Sequence, residues 1–146
     1  MAEVLRGEMT PTEMTIERIG VALVNYQRTL VLKAKETQKY LPVWIGAWEA
    51  DAIAATLQDV HFSRPLTHDF LCAVIETLGA TVKSVVIDRL EDNAFHAKVV
   101  LVTDKGEIDM DCRPSDAAAV AVRTKAPIFV DNEVLDRAGI DTETDE

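Results

Sequence analysis

Apolar and polar residues alternate along the first part of the chain in the period-two pattern that is typical of β-strands. Residues 14–25 and 29–36 show this extended pattern, and the polar segment between them predicts a turn that makes the pair a hairpin. Residues 40–46 predict a third short strand. Because Pro42 cannot donate a backbone hydrogen bond, we expect this strand to lie at an edge of the sheet or Pro42 to lie at a strand start.

The spacing of apolar residues then changes to that of helices. Residues 47–59 predict a first helix with one buried face at helical spacing, formed by Ala50, Ile53, Ala54 and Leu57. Residues 66–80 predict a second helix, which begins with Thr67 as its N-cap and ends at Gly79.

The second half of the chain returns to strands and closes with helices. Strands are expected at residues 81–90, 95–102 and 107–112, then a helix near 115–123, a strand at 127–130 and a helix at 132–139. In the third of these strands acidic and apolar residues alternate strictly, which places Glu107, Asp109 and Asp111 on one face.

These elements predict a single domain of the α+β class. The order of elements favours a mainly antiparallel, mixed sheet with Ala-rich helices packed on it, over residues 14–138. A polar lead at residues 1–13 precedes the domain. The tail at residues 139–146 is acidic and poor in apolar groups, and we expect it to be disordered.

The charge of the chain limits the partners that it can bind. Of 146 residues, 25 are acidic and 15 are basic, and the formal net charge of −10 at pH 7 opposes nonspecific attraction to nucleic acids and anionic membranes. A contact with nucleic acid would need a local basic patch or bridging cations. No signal-peptide pattern and no long apolar run is present, so we expect a cytoplasmic protein without membrane contact.

The spacing of the cysteines and the absence of glycine-rich nucleotide-binding motifs argue against several kinds of site. Cys72 and Cys112 do not have the spacing of a disulfide framework or a zinc site, and we expect reduced thiols. The chain has neither a GxGxxG motif nor a P-loop, so no organic cofactor is expected.

The sequence "CRPSDAAAVAVR" joins a predicted strand to a predicted helix. Pro114 is suited to the first helical position, and Ser115 and Asp116 can satisfy or complement the exposed N–H groups of the first turn, so a structural role alone explains much of it. A functional alternative is a cluster in which carboxylates bind a divalent cation while Arg113 and the helix N-terminus receive a phosphate. The proposed metal ligands are Asp109, Asp111 and Asp116.

The sequence "RPLTHD" precedes the second helix and offers a proton-transfer group. Residues such as His68 and Asp69 are common in the first turn of a helix without any catalytic role. The functional hypothesis is that His68 acts as general acid or base, oriented by Asp69 or another carboxylate. Arg64 would add a fork of N–H donors for a phosphate.

The first helix carries two further acids, Glu49 and Asp51, which project about 200° apart and are therefore not expected to line one site. Glu49 is nearer the helix start and is the better candidate. Trp44 and Trp48 are expected to pack against the domain, although an exposed tryptophan here could stack on a base.

Four segments together resemble the bifunctional nuclease family: "LPVWIGAWEADAIAATL", "RPLTHDFLCAVIETLGA", "VVIDRLEDNAFHAKVVL" and "DCRPSDAAAVAVRTKAPIFV". The resemblance extends over residues 14–138, nearly the whole chain. The motif positions of the family fall on Gly46, Glu49, Arg64, Pro65, Thr67, His68, Asp69, Arg113, Pro114, Ser115 and Asp116. Members of this family have been described as cutting both DNA and RNA.

The resemblance implies an α+β nuclease acting on nucleic acid. On this hypothesis His68, Asp69, Glu49 and Asp116 are catalytic, Arg64, Arg113 and Ser115 bind the substrate, and Mg²⁺ or Mn²⁺ assists. The alternative is a non-catalytic module that binds a protein partner or a small anionic ligand, which an acidic chain without a basic stripe fits equally well. Exposed strand edges often pair, so a homo-oligomer is also expected.

Overall fold

The structure is a computed structural model that describes residues 10–141. The strands are β1 (Thr12–Val21), β2 (Arg28–Ala34), β3 (Tyr40–Ile45), β4 (Thr81–Glu91), β5 (Ala94–Thr103), β6 (Gly106–Cys112) and β7 (Ile128–Val130). The helices are α1 (Ala47–Leu57), α2 (Thr67–Thr77), α3 (Pro114–Thr124) and α4 (Asn132–Ala138).

All seven strands belong to one mixed sheet in the order β3-β2-β1-β7-β4-β5-β6. Two antiparallel meanders, β1 to β3 and β4 to β6, are joined by the short strand β7, which pairs antiparallel with β1 and parallel with β4. The predicted fold class, a single α+β domain with a mainly antiparallel sheet, is therefore confirmed. The edge position expected for the strand that contains Pro42 is also confirmed, because β3 borders the sheet.

The helix α3 is the central helix of the layer that covers the sheet. It contacts α1 and α2 as well as strands β3, β4 and β5. The run from Ala117 to Ala121 is entirely buried, and Val120 is the only large residue in it. Small side chains let a helix approach a sheet and two neighbouring helices closely, so the Ala-rich pattern explains why α3 occupies this position.

Some local expectations differ from the structure. The expectation that Thr67 is the N-cap of α2 is wrong, because the helix begins at Thr67 and Leu66 is its N-cap residue. The Leu66 amide donates a hydrogen bond to the carboxylate of Asp69 in the first turn. Leu57, the last residue of α1, is half exposed and does not belong to the buried face expected for this helix. Gly79 follows α2 with a positive φ of 82°, as the helix stop required.

Regular backbone pairing extends beyond residues 14–138 at both ends. β1 begins at Thr12, inside the expected lead, and Ile140 of the expected tail forms a bridge with Tyr40 through backbone hydrogen bonds. The remaining expectations for the lead at 1–9 and the tail at 142–146 lie outside the described residues. Within residues 10–141, none of the helices has the length and apolar character needed to cross a membrane.

Candidate functional site

The starts of α1, α2 and α3 bring four predicted site residues together. Glu49 lies in the first turn of α1, His68 in the first turn of α2, and Arg113 and Asp116 at the start of α3. They are linked by direct side-chain hydrogen bonds. We call these four residues the helix-start site.

Asp116 is at the centre of the helix-start site, and its carboxylate accepts four hydrogen bonds. Its Oδ2 accepts from the backbone amide of Arg113 at 3.3 Å and from Arg113 Nε at 2.9 Å. Its Oδ1 accepts from Arg113 Nη2 at 3.0 Å and lies 3.0 Å from His68 Nε2. A carboxylate offers about four lone-pair positions, so the acceptor capacity of Asp116 is filled.

The carboxylates of the site remain ionised. Burial alone would raise the pKa of Asp116, but the hydrogen bonds from Arg113 and His68 outweigh this effect and lower the pKa to about 2. The pKa of Glu49 is lowered by a hydrogen bond from its own backbone amide and by Arg113. In turn, the hydrogen bonds to Asp116 and Glu49 raise the pKa of Arg113.

The ionised state of Asp116 determines which nitrogen of His68 carries a proton. An ionised carboxylate can only accept, so His68 Nε2 donates to Asp116 and Nδ1 is the nitrogen that can exchange a proton with another group. The His68 side chain is only 11% exposed. A mostly buried imidazole with one nitrogen fixed by a carboxylate has a defined orientation, as acid–base catalysis requires.

Arg113 is the exposed member of the site. Its guanidinium donates Nη1–H to Glu49 Oε2 at 3.0 Å, and two further N–H groups to Asp116. The side chain is 62% exposed. A guanidinium has five N–H groups, so two of them have no partner among residues 10–141 and can bind an anion.

A cavity of about 490 Å³ opens between the starts of α1 and α2. His68 and Arg113 line it, together with Trp48 and both acids of α1, Glu49 and Asp51. The expectation that these two acids cannot line one site is therefore wrong. Glu49 is bonded to Arg113, whereas Asp51 borders the same cavity without a hydrogen bond to the helix-start site.

Asp69 has a structural role that the sequence interpretation did not give it. Its Oδ2 accepts from the Leu66 amide at 2.9 Å, and its Oδ1 accepts from Arg123 Nε at 2.6 Å. The acid that orients His68 is Asp116, while Asp69 joins the start of α2 to the end of α3. The predicted catalytic role of Asp69 is not supported by these contacts.

Two predicted substrate-binding residues lie outside the cavity that contains His68. Arg64 borders an adjoining cavity of about 480 Å³, together with Asp69, Arg123 and Lys125. Ser115 is buried and borders a third cavity beside Pro114. Their roles in substrate binding stay predictions, and neither has a hydrogen bond to the helix-start site.

The three proposed metal ligands do not form a metal-binding group. Asp109 faces Lys98 with an O–N distance of 3.1 Å, and Asp111 faces Arg89 with a distance of 3.2 Å. Asp116 has no acceptor position left. Because β6 is an edge strand beside β5, its acids pair with basic residues of β4 and β5. In the described part of the chain, no group of three His, Cys, Asp or Glu residues is arranged to hold a metal ion.

Comparison with known proteins identifies the class of domain. The family model of the bifunctional nuclease domain matches residues 30–143, and the chain belongs to this family. The chain is 40% identical over 128 residues, 88% of its length, to an uncharacterized protein of Mycobacterium tuberculosis strain H37Rv, of which the match covers 76%.

Plant relatives carry the nuclease name. The chain is 32% identical over 118 residues to Bifunctional nuclease 2 of Oryza sativa subsp. japonica and 31% identical over 117 residues to Bifunctional nuclease 2 of Arabidopsis thaliana. The matches cover 78% and 76% of this chain but only 36% of either plant protein. The similarity therefore concerns one domain of these longer proteins.

Proposed function

We propose that the protein hydrolyses phosphodiester bonds of DNA and RNA at the helix-start site. The observation that carries this proposal is the exposed guanidinium of Arg113, which has two N–H groups to spare beside a fixed imidazole. An anion-binding fork can stabilise the charge on the phosphate, and a proton-transfer group beside it can protonate the leaving oxygen when water attacks. Membership of the bifunctional nuclease domain family supports the choice of nucleic acid as substrate.

Arg113 has the role of binding the scissile phosphate. Its two remaining N–H groups donate to non-bridging oxygens, and the hydrogen bonds strengthen as negative charge develops in the transition state. Glu49 and Asp116 fix the guanidinium from two directions, so it does not have to reorganise when the substrate arrives.

His68 has the role of general acid. As a water oxygen bonds to phosphorus and the bond to the leaving oxygen breaks, His68, protonated at both nitrogens, gives the Nδ1 proton to the leaving oxygen, while Nε2–H stays bonded to Asp116. The proton that the attacking water loses passes to solvent, and Nδ1 takes up a proton again before the next turnover. Asp116 is a positioning residue, since it holds the ring and stabilises the imidazolium. Because the pKa of Asp116 is about 2, this carboxylate stays charged throughout the neutral pH range.

Glu49 is the side chain of the site that fits a divalent cation best. Its carboxylate accepts from Arg113 and from its own backbone amide, which leaves acceptor capacity that Asp116 lacks. Mg²⁺ commonly binds one or two carboxylates together with substrate phosphates. We propose that Mg²⁺ or Mn²⁺ is held by Glu49 and the substrate, where it would neutralise phosphate charge close to a strongly acidic protein.

The test compares wild type with His68→Ala and Asp116→Asn on labelled DNA and RNA, with and without chelator. His96→Ala is the matched control, because His96 alternates with the core residue Ala97 on β5 and lies on the opposite face of that strand. We expect cleavage by wild type and the control, strong loss in both site variants, and loss on chelation that Mn²⁺ reverses.

Two outcomes would overturn parts of this proposal. Equal residual cutting by all four preparations would assign the activity to a contaminating nuclease. Cutting that depends on His68 but persists in chelator would remove the metal from the proposal and leave the rest.

Cytoplasmic location and a homo-oligomer stay predictions. Sedimentation of the purified protein tests the prediction of a homo-oligomer.

A further inference from the structure

Two aromatic rings border the cavity that contains His68, and both are exposed. Trp48 is 85% exposed and Phe62 is 56% exposed. Large aromatic side chains contribute most to stability when they are buried. Two exposed rings at one cavity contribute little to the stability of the fold, and they indicate a surface that a ligand can cover. The expectation that Trp44 and Trp48 pack against the domain is wrong, since Trp44 is 69% exposed as well.

A second cavity continues the first toward the end of α3. The two cavities adjoin, because Ala55, Phe62 and Leu66 belong to the walls of both, and we call the two cavities together the α1 groove. The helix-start site lies at one end of this groove. Arg64 and Lys125 lie at the other end.

The far end of the α1 groove has positive charge available for an anion. Arg64 and Lys125 are both exposed, and neither side chain has a hydrogen bond or ion pair with another residue in the range 10–141. Of the acids in the same cavity, Asp59 faces His61 at 2.9 Å and Asp69 is bonded to Arg123. Asp59 is paired only with a histidine, and Asp51, in the other cavity of the groove, has no ion pair among residues 10–141. Arg64 and Lys125 are therefore two cations available for phosphates in a groove that also carries acids.

We infer that the α1 groove binds single-stranded nucleic acid. One unpaired base stacks on Trp48 and a neighbour on Phe62, while the phosphates contact Arg113 at one end and Arg64 and Lys125 at the other. Aromatic rings can stack only on bases that are unpaired and splayed from their neighbours, so a duplex cannot use this groove. This inference rests on the proposed function in its choice of nucleic acid, and adds that the substrate is single-stranded.

The binding test uses a fluorescently labelled 12-nucleotide phosphorothioate oligothymidylate in chelator, so that cleavage does not interfere. Anisotropy gives the Kd of wild type for this strand and for the same strand annealed to its complement. We expect the single strand to bind at least 10-fold more tightly than the duplex, and Trp48→Ala to weaken single-strand binding about 10-fold or more.

Phe62→Ala and Phe70→Ala form a matched pair. Phe70 is 65% exposed on α2 and borders neither cavity of the groove. We expect Phe62→Ala to weaken single-strand binding severalfold and Phe70→Ala to leave it unchanged. Equal effects of the two substitutions, or equal affinity for single strand and duplex, would overturn the inference.

The salt dependence tests the basic end of the groove. Each phosphate contact with a single strand contributes about −0.7 to the slope of log K against log salt. We expect Arg64→Gln with Lys125→Gln to reduce the slope by about 1.4, and Lys105→Gln, in the turn between β5 and β6, to leave it unchanged. An unchanged slope in the double variant would place the phosphates elsewhere and overturn this path.

Failure of the inference can be told apart from failure of the proposed function. Single-strand binding that requires Trp48, in a protein that cuts nothing, would support the groove and reject the nuclease. Cutting that requires His68 but is the same in Trp48→Ala would reject the groove and keep the nuclease. No binding of the oligonucleotide by wild type would overturn the inference and favour a protein partner for the exposed rings.

Discussion

The starts of α2 and α3 have the same local structure but different roles. In each, an aspartate in the third helical position accepts a hydrogen bond from the backbone amide of the N-cap residue, at 2.9 Å for Leu66 and 3.3 Å for Arg113. Each aspartate also pairs with an arginine. The local sequences "LTHD" and "RPSD" therefore make the same capping contact.

The two arginines differ in where their remaining N–H groups point. Arg123 is 8% exposed, and it donates to Asp69 and to the backbone carbonyls of Ala119 and Ala52. Arg113 is 62% exposed and keeps two donors facing solvent. The comparison teaches that the same capping motif stabilises the fold when its arginine is enclosed, and can bind a ligand when its arginine is open.

The largest expected effect concerns the open arginine. Arg113→Ala should lower kcat/KM for nucleic acid about 10²–10³-fold, because it removes the group proposed to stabilise the charge of the transition state. The free energy of unfolding should fall by less than about 2 kcal/mol, because the exposed guanidinium itself contributes little but the partly buried Asp116 loses its main partner. Steady-state kinetics and urea unfolding measure the two quantities. A loss of stability equal to that of Arg123→Ala would contradict the comparison.

The enclosed arginine should show the reverse behaviour. Arg123→Ala removes one hydrogen bond to Asp69 of α2, one to Ala52 of α1 and one within α3, and we expect the free energy of unfolding to fall by about 2–3 kcal/mol. The fraction that remains folded should cleave at nearly the wild-type rate. Urea unfolding, combined with activity normalised to the folded fraction, tests this. If Arg123→Ala kept its stability but lost activity, Arg123 would have the functional role that is assigned here to Arg113.

The free energy of unfolding should depend on pH at acid values because of the Asp116 carboxylate at the start of α3. Its pKa is about 2 in the folded protein, below the ordinary value of 3.8, so its stabilising contribution is present above about pH 4 and is lost as the pH falls toward 2. That contribution is on the order of 2 kcal/mol. Urea unfolding of wild type and Asp116→Asn at pH 6 and pH 3 should give a difference that shrinks at the lower pH. A constant difference would contradict the paired, ionised state.

The smallest expected effect is at Gly46. A Cβ at this position would overlap the carboxylate of Glu49, which must then move away from Arg113. The backbone at Gly46 is extended and suits alanine, so Gly46→Ala should change the stability by less than about 0.5 kcal/mol. Activity should fall severalfold in Gly46→Ala, which displaces the Glu49 carboxylate, and further in Glu49→Gln, which also removes the charge proposed to hold the cation. Full activity in both variants would show that Glu49 does not help to hold Arg113.

Much of the fold could be predicted from the sequence, because its elements follow from local periodicity. The alternation in β4 and β5 and the Ala-rich run of α3 are properties of neighbouring residues, and the structure places elements there. The candidate site was predictable as a set of helix starts. Its pairing was not, because His68 and Asp116 are 48 residues apart and meet only through the packing of α2 against α3.

The metal site predicted at Asp109, Asp111 and Asp116 shows what local sequence cannot determine. Alternation correctly predicts that Asp109 and Asp111 share a face, but the charge on that face depends on the neighbouring strands. Lys98 on β5 and Arg89 on β4 neutralise the two acids. Register between strands is set by long-range pairing, and the sequence of β6 alone carries no information about it.

The sequence by itself determined the class of the fold, the family and the three helix starts, since periodicity, capping residues and motif spacing are local. Only the tertiary structure decided that Asp116 orients His68, that Asp69 serves the fold, and that Trp48 is exposed beside the site. The physical reason is that hydrogen-bond partners and exposure depend on which elements pack together, and the residues that meet there are far apart in the chain.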